Sequence, residues 1–323
     1  MSKIGVVGIG ALNIDNIYRV ERILEDAESL VDEVKSFPGG SAANTIYGLS
    51  KLGVDTGFVG AVGDDVEGRL MLQDFEKTGV DTSHIIVKTR EKTGKTLCLS
   101  DISGKRSIYV IPGVNNLLSL DDINLPYINE SRFLHISSFA DDRQFQLLLD
   151  LVNKITPQVK ISFSPGELYA SKGLKALASI LNKTHILFTN QREMQILTGK
   201  DFITGAKICL ENGCRIIAVT LGKGNRLAGS KKASAICYIR DIKNEYMIEP
   251  AGITETCIDT TGAGDAFVTG FLYGFLIKKG LEECGQMGNI AAQFCIHQLG
   301  ARQGLPTLIQ LHKRYKEIYN KQL

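Results

Sequence analysis

Short apolar runs alternate with helix-length segments over most of this chain, and no other feature of the sequence restricts the fold as much. IGVVGIG (4–10), GFVGAVG (57–63), RFLHIS (132–137), VKISFS (159–164), HILFTN (185–190) and RIIAVTL (215–221) read as buried strands. A small-residue helix is expected from Ala42 to Leu52, with Gly53 as its stop, since glycine takes the left-handed C′ geometry without strain. Further helices are expected near 142–154, 169–182 and 201–212. Such alternation implies an α/β fold, a mostly parallel sheet with helices on both faces. Two segments depart from it, 14–37 and 94–112, where period-two alternation with turn residues suits antiparallel strands. Together they can form one small sheet that projects as a lid over a cleft. No repeat, low-complexity stretch or long linker interrupts residues 1–323, so a single domain with a lid is expected.

Charge and cysteine usage narrow the function classes. Thirty-seven basic residues against 35 acidic ones leave a net charge of +2, which argues against a nucleic-acid partner. The basic tail LHKRYKEIYNKQL reads as the solvated face of a terminal helix. Seven cysteines lie scattered at 98, 209, 214, 237, 257, 284 and 295 with no Cys-x-x-Cys pair, as buried free thiols of a reducing cytoplasm would. The five histidines form no metal-ligand cluster. MSKIGVVGIGALNID lacks the apolar core of a signal peptide, and no run approaches 18 apolar residues, so no membrane association is expected.

Chemistry concentrates in IDTTGAGDAF (258–267). After it, Phe267, Val268, Phe271, Leu272, Phe275 and Leu276 share one helical face, and Lys278, Lys279 and Gly280 look like its C-terminal signals. Gly262, Ala263 and Gly264 then form the first turn of a helix whose open amides and dipole suit a phosphate. Asp265 sits in the same turn. A bland reading makes the glycines a tight turn and Asp265 a dipole partner. An anion hole beside a carboxylate is, however, what phosphorylation of a hydroxyl requires: amides for the migrating phosphoryl group and a base for the attacking alcohol.

DTTGAGDAF resembles the C-terminal signature of the ribokinase or PfkB family of carbohydrate kinases. GGSAANTIYGLSKLG (39–53), GAVGDDVEG (60–68), GVD (79–81), TNQRE (189–193) and VTLG (219–222) follow the family's order, so the resemblance covers essentially the whole chain. It implies a ribokinase-like three-layer α/β/α fold and ATP- and Mg2+-dependent phosphoryl transfer to a hydroxymethyl group of a sugar. A nucleoside acceptor is the alternative, with Phe37, Tyr109 and Phe139 as candidate walls for a base. The resemblance makes Asp265 the catalytic base, with Gly262, Ala263 and Gly264 as the anion hole. Asn13, Asp15, Gly39, Gly40 and Asn44 would bind the acceptor, the glycine pair also serving as the lid's hinge. Asn190, Thr220, Gly222 and Asn289 would serve the nucleotide. Glu193 would hold magnesium through water, and Asp259 and Thr261, with backbone near Gly300, a potassium-like ion. A homodimer paired through lid strands is implied as well.

Ser41 stands where ribokinases proper usually carry lysine, Ser164 where many relatives carry an acid, and Asn225 where a second glycine is usual. Rival readings fare worse. VVGIGALN has Asn13 at the third glycine position of a dinucleotide fingerprint, and GKT at 94–96 has Thr89 where a P-loop needs glycine. A non-catalytic sugar sensor would be expected to have lost Asp265.

Overall fold

The computed structural model describes residues 4–25, 27–31, 33–101, 106–225, 235–250, 252 and 257–321. Its strands are β1 (Val6–Ile9), β2 (Asn13–Val20), β3 (Glu33–Gly39), β4 (Thr56–Gly63), β5 (Ile85–Lys88), β6 (Gly94–Asp101), β7 (Arg106–Ile111), β8 (Phe133–Ser137), β9 (Lys160–Ser164), β10 (Thr184–Asn190), β11 (Ile216–Asn225), β12 (Ala235–Asp241) and β13 (Glu245–Ile248). Nine of them form one sheet in the order β13-β12-β11-β10-β9-β8-β1-β4-β5. Pairing is parallel from β11 to β5 and antiparallel at β11–β12 and β12–β13. All six apolar runs are strands of this sheet. Strand β5 and the antiparallel strands β12 and β13 lie outside those six runs, although β12 carries an apolar run of its own at 235–239.

The helices are α1 (Ser41–Lys51), α2 (Val66–Glu76), α3 (Leu125–Asn129), α4 (Asp142–Lys154), α5 (Gly166–Ala170), α6 (Gly173–Lys183), α7 (Gln191–Thr198), α8 (Phe202–Glu211), α9 (Ala263–Leu276), α10 (Leu281–Cys295) and α11 (Leu308–Tyr319). Successive strand residues feed opposite cores. Val7, Val59 and Leu187 pack with α4, α6, α7 and α8, whereas Val6, Phe58 and Ile186 pack with α1, α9, α10 and α11. Both faces are covered, as the alternation implied. The terminal helix is amphipathic rather than merely solvated, with Leu311 and Tyr315 fully buried.

Two helix boundaries differ from expectation. The segment 169–182 is split into α5 and α6. Helix α9 stops at Leu276, the left-handed turn falls on Lys278 (φ 64°), and Gly280 caps the start of α10 instead of ending α9.

The segments 14–37 and 94–112 do come together, in a four-stranded sheet of order β3-β2-β6-β7; their residues 26, 32 and 102–105 lie outside the described part. The sheet is not purely antiparallel. β2 runs parallel to β6, because both strands leave the main sheet in the same direction, and β3 and β7 return antiparallel beside them.

Candidate active site

A cleft of about 210 Å³ opens at the C-terminal ends of the parallel strands. Ser164 ends β9, Asn190 ends β10, and Thr220 lies on β11; all three line it, facing Ser41, Gly264 and Asp265. A larger cavity of about 410 Å³ lies at the opposite strand ends, among Arg132, Lys160, Lys278 and Lys279. No carboxylate is found among the described residues that line it, so the smaller cleft is the candidate for the chemistry.

Asp265 stands in the first turn of α9, which begins where Gly262 turns left-handed (φ 74°); a Cβ on Gly262 would run into the Ala301 methyl. The first amides of a helix have no intrahelical acceptor, and their dipole favours an anion. The space over Gly264 is open, for a Cβ there would meet no atom within 4 Å. Two donors from the start of α1 grip the carboxylate: Ser41 Oγ donates to Oδ1 (2.7 Å) and Asn44 Nδ2 to Oδ2 (2.8 Å). Burial is the main cause that lifts the Asp265 pKa to about 6, and nearby Asp15 adds to it, against these two hydrogen bonds and the Arg302 charge. A carboxyl with its pKa near neutrality is suited to act as a base, and a helix end beside it is suited to an anion.

Asp15, on β2, accepts from Thr96 Oγ1 on β6 (2.8 Å), and burial raises its pKa. Its carboxyl fills the space where a side chain on Gly39 would stand, and Gly40 follows with φ 98°. These glycines are required by close approach and by backbone conformation. Asn13 Oδ1 accepts from Asn115 Nδ2 (2.9 Å), which pins the root of β2.

Asn190 and Glu193 form the capping box of α7. Asn190 Oδ1 accepts from the Glu193 amide (2.8 Å), and Glu193 Oε2 accepts from the Asn190 amide (3.0 Å). Burial raises the Glu193 pKa, and the Asp265 and Glu167 charges raise it further. Asp259 gathers three donors, Thr261 N (2.9 Å), Thr261 Oγ1 (2.8 Å) and Gly300 N (2.9 Å). Gly222 lies on β11 two residues past Thr220, in a left-handed conformation (φ 68°). Asn289 does not join the cleft: it is buried on α10 and its Nδ2 donates to the Glu249 carbonyl (3.4 Å).

The family model of the pfkB family carbohydrate kinases matches residues 3–308. The chain belongs to that family. The kinase is similar to an uncharacterized sugar kinase of Archaeoglobus fulgidus, at 38% identity over 81% of this chain and 99% of that one. It is 26% identical to a nucleoside kinase of Methanocaldococcus jannaschii, over 98% of each chain. Among solved structures, a ribokinase of Thermotoga maritima superposes with a TM-score of 0.82 at 23% identity, over 97% of this chain and 99% of that one. The kinase is thus a phosphotransferase with an alcohol acceptor on a ribokinase-like fold, and ATP-dependent phosphoryl transfer is general to its family.

Several residues of the kinase's site carried no legible signal in sequence. Arg302, a lone cation in the loop GARQGLP, touches Asn44, Asp74 and Gly39 across more than 220 positions. Asn115 looks like any loop asparagine. Asp65, from GAVGDDVEG, accepts from the Gly68 amide (2.9 Å) and from the Thr93 amide and hydroxyl (3.0 and 2.6 Å), tying the start of α2 to the residue before β6. That motif is therefore a structural clasp at the root of the smaller sheet. Ser164 and Thr189 bring hydroxyls to the cleft that find no partner among the described residues.

Proposed function

We propose that this kinase phosphorylates the hydroxymethyl group of a sugar, with Asp265 as general base. One observation carries the reading: a carboxylate with its pKa lifted to about 6 stands in the helix turn whose open glycine backbone faces the cleft. Asn13, Asp15, Gly39, Gly40 and Asn44 hold the acceptor against Asp265. As the acceptor oxygen bonds to the γ-phosphorus of ATP, its proton passes to Asp265 and the bond from phosphorus to the bridging oxygen breaks, releasing ADP. Amides at Gly262, Ala263 and Gly264 stabilise the charge spread over the transferring group. Asn190 and Thr220 line the nucleotide side of the cleft, Gly222 follows two residues past Thr220, and Asn289, bonded to the Glu249 carbonyl, does not line that cleft.

Magnesium fits beside Glu193. Burial and the neighbouring Asp265 charge hold that carboxyl above its usual range, an imbalance that a hydrated divalent cation relieves. When bound, it neutralises charge on the nucleotide phosphates. A potassium-like ion is proposed where Asp259 gathers Thr261 and Gly300 around a buried carboxylate. A homodimer through the smaller sheet is supported by the apolar edge strand β7, where Ile108 is 59% and Tyr109 58% exposed. Six of the seven cysteines are buried, which supports a cytoplasmic setting, and no helix among the described residues can cross a membrane.

A sugar is favoured over a nucleoside because two of the three candidate walls stand apart from the cleft: Phe139 is 1% exposed in the core and Tyr109 stands out in solvent, which leaves Phe37, opposite Asp15 on β3, by itself. ATP consumption measured against pentoses, hexoses, keto-sugar acids and nucleosides tests the reading. Turnover with a sugar is the expected result, and turnover confined to nucleosides overturns the choice of acceptor.

A further inference from the structure

Arg302 is 2% exposed, yet its guanidinium reaches three separate pieces of the chain. Nε donates to Asn44 Oδ1 (2.9 Å) on α1, Nη1 to Asp74 Oδ2 (2.6 Å) on α2, and Nη2 to the Gly39 carbonyl (3.2 Å) at the end of β3. The rings of Tyr47 and Phe75 lie 5.1 and 5.0 Å from its centre. A buried cation costs several kcal/mol unless its geometry is satisfied, and here the fork is used on all three nitrogens. A lysine could not do this, having one nitrogen in place of a planar fork.

The chemistry of that contact decides the orientation of Asn44. Arginine only donates, so the amide oxygen must face Arg302 and the amide nitrogen must face Asp265. We propose that Arg302 is a positioning residue that keys the Asn44 amide onto the base Asp265 and ties the pair to the Gly39 root of the smaller sheet. The inference rests on Asp265 being the base. Without the fork, Asn44 is free to turn its oxygen toward the carboxylate, which both repels Asp265 and removes a donor. The charged and titratable groups facing Asp265 are Asp15 from β2, Glu193 from α7, Cys295 from α10 and Arg302 itself. Loss of the cation leaves a like-charged surrounding and pushes the base toward protonation.

The test uses full-length protein and requires no acceptor. The side-chain amide signal of Asn44 and the carboxyl titration of Asp265 are followed by NMR in wild type, R302M, R302K and D74N, with melting curves confirming the fold. R302M should speed exchange of the Asn44 amide protons roughly tenfold and raise the Asp265 midpoint by about one pH unit. R302K should show the faster exchange with a smaller shift of midpoint. D74N, which loosens the anchor, should show a weaker form of the R302M result. Unchanged Asn44 exchange in folded R302M overturns the proposal, and R302K decides in the same way if R302M does not fold. A negative acceptor screen would not alter these readings, so the two proposals fail separately.

Discussion

As the proposed base, Asp265 has to be ionised, and its pKa of about 6 sets where that happens. The acid limb of kcat/KM should therefore bend near pH 6 and fall about tenfold per pH unit below it, whichever acceptor is used. A limb bending near pH 4 would mean that the carboxyl is not desolvated in the working enzyme. Replacing Asp265 by Asn should cut turnover by about three orders of magnitude while leaving the fold intact, since Ser41 and Asn44 can still bond to an amide. Its effect on stability has a definite sign. Folding raises this pKa, so the folded state binds the proton more tightly; the resulting stability is complete near pH 4 and is lost as pH rises through 6. The melting temperature of D265N relative to wild type should accordingly rise between pH 4 and pH 7.5.

At the scale of the element, the N-terminus of α9 contains two glycines with opposite requirements. Gly262 needs its left-handed φ of 74° and has Ala301 against it, so G262A should lose about 2 kcal/mol or more of stability. Gly264 lies in the helix proper with open space above it, so G264A should melt as wild type does or slightly higher. The new methyl group would occupy the approach of the phosphate, and turnover should drop at least about tenfold. If G264A turned over like wild type, that helix end would not bind the phosphoryl group. The glycines were legible in sequence as a tight turn at the start of a helix. Which of them shapes the turn and which faces the cleft was not, because that depends on Ala301, 39 positions away.

At the scale of the molecule, the smaller sheet leaves β3 and β7 as open edges, the latter with Ile108 and Ile111 more than 45% exposed. Light scattering should give twice the 35.3 kDa chain mass, falling to the monomer for the doubly charged variant I108K/I111E. A monomeric wild type would remove the dimer proposal. Local pattern determined much of this protein. Apolar runs fix strands and glycines fix turns through short-range sterics, so the parallel core, the turn before α9 and the acid within it could all be read from residues near one another. The edge strand β13 was not legible, since a half-exposed edge needs no apolar run; β12, which lies inside the sheet, does carry one at 235–239. Nor could sequence show that Asn44 and Ser41 would grip Asp265 across more than 220 residues, or that Arg302 would hold Asn44. Those contacts are side-chain geometries between distant elements, and only the packing of α1 against α9 decides them.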